Sequence, residues 1–327
     1  MNRTKRLVIA AALVTLTLGA CTSDDNGDQA NQTASTPAGQ GGDTTIAVVT
    51  HGSAGDAFWD VVKNGAEAAG RDLGVTVNYQ GNGDPAQQSQ LIDTAVSQGV
   101  DGIVVSMANP DALEESIKAA VAAGIPVITI NSGADRSKEF GAITHVGQTE
   151  TVAGAGAGEQ LKAAGVTKLL CVIHEAGNVG LTQRCDGAKT TVGGSVEELQ
   201  VDIANLADAS AKITAKLQAD SSINGVLTLN PGIAIAARDA IRDAGSSAKL
   251  ATFDLSGDVI DAINNDEILF AVDQQQYLQG YLPVVFLNLY KTNLNTVGGG
   301  LPVLTGPGFV TKDNAAQVAE LAQSGTR

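Results

Sequence analysis

Short β-branched runs alternate with alanine-rich stretches of helical length from position 45 onward. The first runs are TIAVVT at 45, VTVNY at 75, GIVVS at 102 and PVITI at 126. After a short ITHV run at 143, a second series follows: LLCVIH at 169, VEELQV at 196, GVLTL at 225, KLATF at 249 and ILFAV at 268. This spacing is typical of βαβ units around a parallel sheet. Two such series predict an α/β protein with two similar lobes.

Three of the predicted helices begin and end in the same way. Each begins with an N-cap side chain before a proline at the first helical position: Asp84-Pro85, Asn109-Pro110 and Asn230-Pro231. A glycine follows each cap 15 residues later, where a left-handed residue ends a helix: Gly99, Gly124 and Gly245. The shared pattern indicates repeated βα modules.

The first 20 residues have the pattern of an export signal. Three cations between positions 3 and 6 precede an apolar stretch that is too short to cross a membrane comfortably. The stretch ends Leu-Gly-Ala-Cys at 18–21, which resembles a lipobox and predicts that Cys21 is the lipidated first residue of the mature protein. An ordinary signal peptide followed by a chance cysteine is the alternative.

Residues 21–43 form the predicted tether. After Cys21 they include no large apolar side chain, so they cannot bury enough surface to offset the entropy of ordering them. The remaining 284 residues suit two lobes. We predict a first lobe from 44–147 and about 274–302, and a second lobe from 148–273 and about 303–327.

The charge balance argues against a nucleic-acid partner. Without the signal, 17 Lys and Arg face 35 Asp and Glu, a net charge of −18 that repels phosphates. Cys171 and Cys185 are the other cysteines, and in an exported chain the first interpretation is a disulfide between them. A metal or catalytic thiol site is the weaker alternative, because His174 is close in sequence but no spacing resembles a zinc motif.

Ligands of open parallel sheets bind outside the carboxyl ends of the strands, so the loops after the strands hold the candidate site. Those loops offer mainly hydrogen-bonding groups and two aromatic rings: His51, Asp56, Phe58, Trp59, Ser106, Asn109, Asn131, Ser132, Arg184, Asn230, Asp254 and Gln274. Amides, a carboxylate and a guanidinium match the hydroxyls of a polyol, and aromatic faces cover its C–H patches.

Simpler roles stand beside these assignments. Asp254 and Asn230 could cap the helices that follow, Arg184 could form a surface ion pair, and Phe58 or Trp59 could be plain core. The glycine alternation at 154–158 lacks dinucleotide-binding spacing and favours close helix packing. Walker, G-x-S-x-G and histidine-containing zinc motifs are missing from the sequence, so we expect no enzyme, no cofactor and no metal.

Four motifs in order give the chain a resemblance to the ribose- and galactose-type periplasmic sugar-binding proteins. They are DAFW at 56–59, GIPVITIN at 124–131, RCDG at 184–187 and TFD at 252–254. The resemblance spans 44–327 and implies two Rossmann-like lobes with parallel sheets, joined by a hinge and closing on a monosaccharide.

The resemblance also implies site residues. Phe58 and Trp59 would stack on the sugar ring beside Asp56, Ser106 and Asn131 would line the first lobe, and Arg184 would bind hydroxyls from the second. The remaining implied ligand-binding residues are Asn230, Asp254 and Gln274. Two departures matter: Asn131-Ser132 stand where ribose binders carry Asp-Arg, and no aromatic residue is near Leu206. They favour an uncharged ligand, an acyclic polyol or small pentose rather than a bulky hexose.

Together these features predict a monomeric, lipid-anchored substrate-binding protein of an ABC importer, outside the cytoplasmic membrane. It would capture a neutral monosaccharide or sugar alcohol by hinge closure and dock on a membrane permease. A receptor that passes a sugar-like signal molecule to a membrane sensor would share the fold and the export signal, and it remains the alternative.

Overall fold

A computed structural model describes residues 44–53 and 55–327 of the chain. The predicted signal peptide, the lipidated Cys21 and the tether lie outside these residues. Within the described part, we find no helix that is both long enough and apolar enough to span a membrane.

The first series of elements builds one sheet with its covering helices. The elements are β1 (Thr45–Thr50), α1 (Ala57–Leu73), β2 (Thr76–Gly81), α2 (Pro85–Ser97), β3 (Gly102–Ser106), α3 (Pro110–Ala122), β4 (Val127–Ile130), α4 (Ala134–Ser137) and β5 (Thr144–Gly147).

The second series repeats this arrangement. Its elements are α5 (Glu150–Ala163), β6 (Lys168–Ile173), α6 (Val179–Thr191), β7 (Ser195–Gln200), α7 (Leu206–Ala219), β8 (Gly225–Thr228), α8 (Pro231–Asp243), β9 (Lys249–Phe253), α9 (Gly257–Asn264) and β10 (Phe270–Asp273). The chain ends with α10 (Gln276–Asn293), a 3₁₀ turn (Gly298–Gly300), β11 (Val303–Leu304), β12 (Gly308–Thr311) and α11 (Ala315–Gln323).

The two sheets have the same strand order. The first runs β11-β5-β4-β3-β1-β2 and the second β12-β10-β9-β8-β6-β7, parallel throughout except for the antiparallel edge strand β12. The central strands are rich in Val, Ile and Leu and buried, as expected for sheets covered on both faces. The predicted α/β class with two parallel-sheet lobes is confirmed. Each sheet reverses its order of connection beside β1 or β6, where ligands of such sheets bind.

Three segments connect the two sheets: 148–149, 274–275 and 305–307. Helix α10 packs on α1 and against β3, β4 and β5, so it belongs to the first lobe. Strand β11 pairs with β5, which places residues 303 and 304 in the first sheet. The last crossing therefore comes slightly later than the predicted boundary at about 302. We call these three segments the hinge.

The repeated helix boundaries form as predicted. Asp84, Asn109 and Asn230 each accept a backbone N–H in the first turn of their helix. Gly99, Gly124 and Gly245 have φ values of 66°, 81° and 63°, the left-handed region in which glycine has no steric penalty.

The glycine alternation at 154–158 serves close packing between α5 and α6. A Cβ on Gly154 would lie 2.0 Å from the carbonyl oxygen of Arg184, and one on Gly158 would lie 2.3 Å from Oγ1 of Thr191. Larger side chains would push the two helices apart and displace Arg184.

Candidate functional site

A cavity lies between the facing carboxyl edges of the two sheets. Eight of the nine predicted ligand-binding residues line it: Asp56, Phe58, Trp59, Asn131, Arg184, Asn230, Asp254 and Gln274. The loops after the strands therefore do converge on one space.

An aromatic corner forms the wall of the cavity in the first lobe. Phe58 and Trp59 meet edge to face at 4.9 Å, and His51 lies edge-on to Trp59 at 4.6 Å. Asp56 caps α1 by accepting the N–H of Phe58, which fixes the start of the helix that carries both rings. The rings are 5% and 7% exposed, so they pack in the core and also line the cavity.

Ser106 differs from its predicted place. It is the last residue of β3, fully buried, and lies behind the cavity wall. Its Oγ accepts the backbone N–H of His51 at 2.9 Å and contacts His51 Nδ1 at 2.7 Å. Ser106 therefore supports a lining residue instead of lining the cavity itself.

A buried ion pair carries the polar wall of the second lobe. Arg184 donates from Nε and Nη2 to the two carboxylate oxygens of Glu150, at 2.6 and 3.0 Å, and its guanidinium lies over the ring of Phe253. Burial acts against the charged guanidinium, but the charge and hydrogen bonds of Glu150 outweigh it and raise the pKa of Arg184. Arg184 is therefore a buried, paired cation and not a surface ion pair.

The remaining guanidinium nitrogen of Arg184 faces the cavity. Nη1 has only long contacts, 3.5 Å to the carbonyl of Leu229 and 3.9 Å to Oδ2 of Asp254. Its geometry leaves donor capacity for a ligand oxygen.

Asp254 is a buried carboxyl group with its ionisation opposed by its surroundings. Burial raises its pKa to about 8, although the charge of Arg184 and the amide of Gln274 act in the opposite direction. The helix that follows is capped by Ser256, so Asp254 has no capping role. Asn230, by contrast, caps α8 while also lining the cavity.

Asn131 and Asp254 occupy equivalent positions in the two lobes. Each directly follows its strand, β4 or β9, and each has a left-handed backbone, with φ of 62° and 68°. Gln274 in the hinge joins them: its Oε1 accepts from Asn131 at 3.1 Å, and its Nε2 donates to Asp254 at 2.9 Å. Non-glycine residues with positive φ are uncommon and often mark functional positions.

Hydrogen bonds across the cleft hold the lobes together. Asn230 donates to Asp56 at 3.2 Å on one side. On the other, the backbone N–H of Val179 donates to the carbonyl of Ala108 at 3.0 Å, and Ser132 donates to Asn178 at 3.1 Å. The structure is therefore the closed form of a two-lobed protein.

Sequence reasoning missed several lining residues. Four are polar (Ser53, His174, Glu175 and Asn178) and three are apolar (Leu181, Ile203 and Leu229), while His51 was named among the loop residues without a binding role. Most lie in the loops after β1 and β6, so the strand-end rule contained the signal for them. The three apolar side chains add contact surface to the second lobe's side of the cavity.

Cys171 in β6 and Cys185 in α6 form a disulfide bond. It joins the strand that leads to His174 with the helix residue next to Arg184. The predicted pairing is therefore present, and it braces the second lobe's wall of the cavity. In the described part of the chain, no cluster of His, Cys, Asp and Glu could hold a metal ion.

Two lobes of this topology that close on a polar cavity define a solute-binding protein. The chain belongs to the family described as the periplasmic binding protein domain, whose family model matches residues 46–292. Members of this family bind solutes outside the cytoplasm and catalyse no reaction. The resemblance given by the sequence motifs is thereby confirmed.

Among solved structures, the chain is similar to a carbohydrate transporter from Acidothermus cellulolyticus 11B, solved in complex with myo-inositol. The two are 45% identical, with a TM-score of 0.86, covering 88% of this chain and 100% of the other. The chain is also 24% identical to the xylose/arabinose-binding protein XylF of Sulfolobus acidocaldarius, covering 72% of this chain but only 64% of XylF. It is 25% identical to the ribose import binding protein RbsB of Bacillus subtilis, covering 69% and 74%.

Proposed function

We propose that this protein is the solute-capturing component of an ABC importer for a neutral cyclitol, with myo-inositol as the first candidate. The observation that carries the proposal is a closed polar cavity without an unpaired cation among its lining residues, in a chain 45% identical to a protein bound to myo-inositol. Lipidation at Cys21 would hold the protein at the outer face of the cytoplasmic membrane.

The charges around the cavity favour an uncharged ligand. Glu150 neutralises Arg184, and Asp254, with a pKa of about 8, is mostly protonated near neutral pH. A phosphate or sugar acid would instead meet Asp56 and Glu175, which also line the space. Bringing another anion there costs free energy that no unpaired cation of the cavity offsets.

The hydrogen-bonding groups suit a ring with a hydroxyl on every carbon. Each hydroxyl can donate one hydrogen bond and accept others, and the cavity offers donors (Arg184), acceptors (Asp254) and amides of both kinds (Asn131, Asn230). The Phe58–Trp59 corner suits the apolar C–H face of such a ring. A cyclitol differs from the acyclic polyol or small pentose that the two sequence departures favoured, and the likeness to the inositol-bound structure is what favours it.

Hinge closure would be the mechanism of capture. The ligand would bind one lobe of the open form, and closure would then desolvate it and complete the contacts across the cleft. Gln274 supports this mechanism, because it is both a hinge residue and a lining residue. The closed form would then dock on the permease.

Titration calorimetry of the mature protein tests the proposal. We expect saturable binding of myo-inositol, weaker binding of D-ribose and D-arabinose, and no binding of inositol phosphates. A panel in which only anionic sugars bind, with no heat from any neutral cyclitol or monosaccharide, would refute the proposed ligand class.

A further inference from the structure

Two histidines occupy equivalent positions at the centre of the cavity. His51 directly follows β1 and His174 directly follows β6, the strands at which each sheet reverses its connection order. Both are buried, at 5% and 8% exposure, and both line the cavity from opposite lobes. Neither has been given a role above.

His174 has unused hydrogen-bonding capacity. Its Nδ1 is buried without a hydrogen-bond partner. A neutral imidazole has one N–H donor and one acceptor nitrogen, and leaving a buried one unmet is costly. Such an orphaned ring beside a cavity indicates that a partner enters with the ligand.

Ser106 engages one ring nitrogen of His51. Its Oγ accepts the backbone N–H of His51 at 2.9 Å and lies 2.7 Å from Nδ1. The other ring nitrogen, Nε2, has only longer contacts, 3.4 Å to Nδ2 of Asn178 and 3.8 Å to Glu175. Nε2 is therefore the nitrogen of His51 that remains open to a ligand hydroxyl.

We propose that His51 and His174 bind ligand hydroxyls from the two lobes and determine which hydroxyl pattern the protein accepts. His51 does so through Nε2, the nitrogen that Ser106 does not engage, and His174 does so through its unpartnered imidazole ring. The ligand class rests on the proposed function, whereas the roles of the two rings follow from their positions and unmet groups.

The electrostatic surroundings keep both rings neutral. Burial, together with the charge of Arg184 and the neighbouring His51, lowers the pKa of His174 to about 3. Burial also lowers the pKa of His51, and Arg184 adds to this effect while Glu175 opposes it. Neutral rings can form hydrogen bonds with the hydroxyls of an uncharged polyol without adding charge to the cavity.

Calorimetry with a set of ring-altered ligands tests the proposal. His174→Phe keeps the ring and removes both nitrogens, and we expect its affinity for myo-inositol to fall roughly fivefold to a hundredfold, the range for an unmet buried hydrogen bond. For the monodeoxy analogue that lacks the hydroxyl bound by His174, His174→Phe and the wild type should bind with equal affinity. His174→Asn, which retains a donor and an acceptor, should recover part of the affinity.

Ser106→Ala tests the role of His51, because Ser106 Oγ contacts the ring of that histidine. Without the hydroxyl, Nδ1 of His51 loses its hydrogen-bond partner and the ring is no longer fixed in place, so we expect ligand affinity to fall. Imidazole ¹⁵N spectra of the wild type give a direct readout: ligand should shift the ring nitrogens of His51 and His174 but leave those of His145 in place.

The outcomes separate the two proposals. Wild-type affinity in His174→Phe, together with unshifted ring nitrogens, overturns the histidine proposal while the cyclitol function stands. If the wild type binds another neutral sugar instead, the cyclitol assignment fails, and the same variants measured with that sugar and its deoxy analogues still decide the role of the histidines. Binding of no neutral polyol or sugar at all overturns both.

Discussion

Asn230 of the second lobe donates a hydrogen bond from Nδ2 to Oδ1 of Asp56 in the first lobe, 3.2 Å away. Both residues are helix N-caps: Asp56 also accepts the N–H of Phe58, and Asn230 accepts those of Gly232 and Ile233. One contact thus links the starts of α1 and α8 across the cleft, so capping and closure share the same two side chains.

Asn230→Asp separates these two roles. Aspartate caps helices as well as asparagine does, but it would place a second carboxylate against Asp56. At pH 8 we expect repulsion to weaken ligand affinity by at least about tenfold. Burial raises the pKa of Asp56 to about 6, so a shared proton should restore much of the affinity at pH 5. Calorimetry at both pH values checks this, with Asn230→Ser as the cap-retaining control. Equal affinity at pH 8 in variant and wild type would show that the Asn230–Asp56 hydrogen bond does not contribute to closure on the ligand.

Asp254→Asn should stabilise the empty protein and weaken ligand binding. The native pKa of Asp254, about 8, lies above its unfolded value, so the native state holds a proton that the unfolded state has lost. Stability contributed by this group is present at low pH and is lost as pH rises toward 8. The melting temperature of the variant should therefore exceed that of the wild type most at pH 8 and least near pH 4.

Loss of the carboxylate should cost about 1–3 kcal/mol of ligand binding, the range for a hydrogen bond to a charged or buried group. Calorimetry gives the affinity and thermal unfolding gives the stability. A variant that is less stable than the wild type at pH 8 would contradict the direction of the pKa shift.

Trp59, the chain's single tryptophan, should report ligand binding without a label. Closure desolvates its ring, so the true ligand should shift or quench its emission saturably. Trp59→Phe should lose the signal but keep most of the affinity, whereas Trp59→Ala should lose about 1–3 kcal/mol of binding, the scale of burying a large apolar side chain. Calorimetry measures both variants. Equal affinity in Trp59→Ala and the wild type would show that the Trp59 ring does not contact the ligand.

Removing the disulfide should destabilise the second lobe. Cys171 and Cys185 are 14 residues apart, and closing such a loop stabilises a fold by about 3 kcal/mol in the chain-entropy model. We expect the double variant Cys171→Ala, Cys185→Ala to unfold at lower denaturant concentration, as followed by circular dichroism. Thiol titration of the unfolded, unreduced mature protein is the companion test, and two reactive thiols would contradict the bond.

Cys21→Ser should release the protein from membranes. The lipobox at 18–21 and the polar tether predict that this cysteine alone carries the anchor. Fractionation of cells that express either form, followed by immunoblotting, measures the distribution. A wild type that already fractionates as soluble would show that the anchor is absent.

The sequence predicted most of the fold because its signals are local. Strand β1 and strand β9 fall on their predicted residues, and the Asn-Pro and Asp-Pro caps begin helices where expected. Strands β11 and β12 were not predicted, because two to four residues carry no periodic pattern and their pairing depends on distant partners.

The site was predicted in outline by the rule that ligands meet the carboxyl ends of strands. Ser106 was misplaced because sequence does not reveal which way a side chain points at the end of a strand. His174 was not assigned to the site because a lone histidine has many ordinary explanations. Its unpartnered ring nitrogen can be recognised only from the structure. The hydrogen bonds of Gln274 to Asn131 and Asp254 depend on the left-handed backbone conformations of those two residues, which no local motif specifies.

The Arg184–Glu150 pair is buried and hydrogen bonded entirely within the second lobe. Dehydrating an ion is the most expensive step in building a polar binding surface, and here it is completed when the chain folds. A solute that enters the cleft meets a guanidinium already stripped of water and fixed in orientation. Preorganisation of this kind leaves more of the contact energy for affinity, and each round of capture and release proceeds without repeating that electrostatic work.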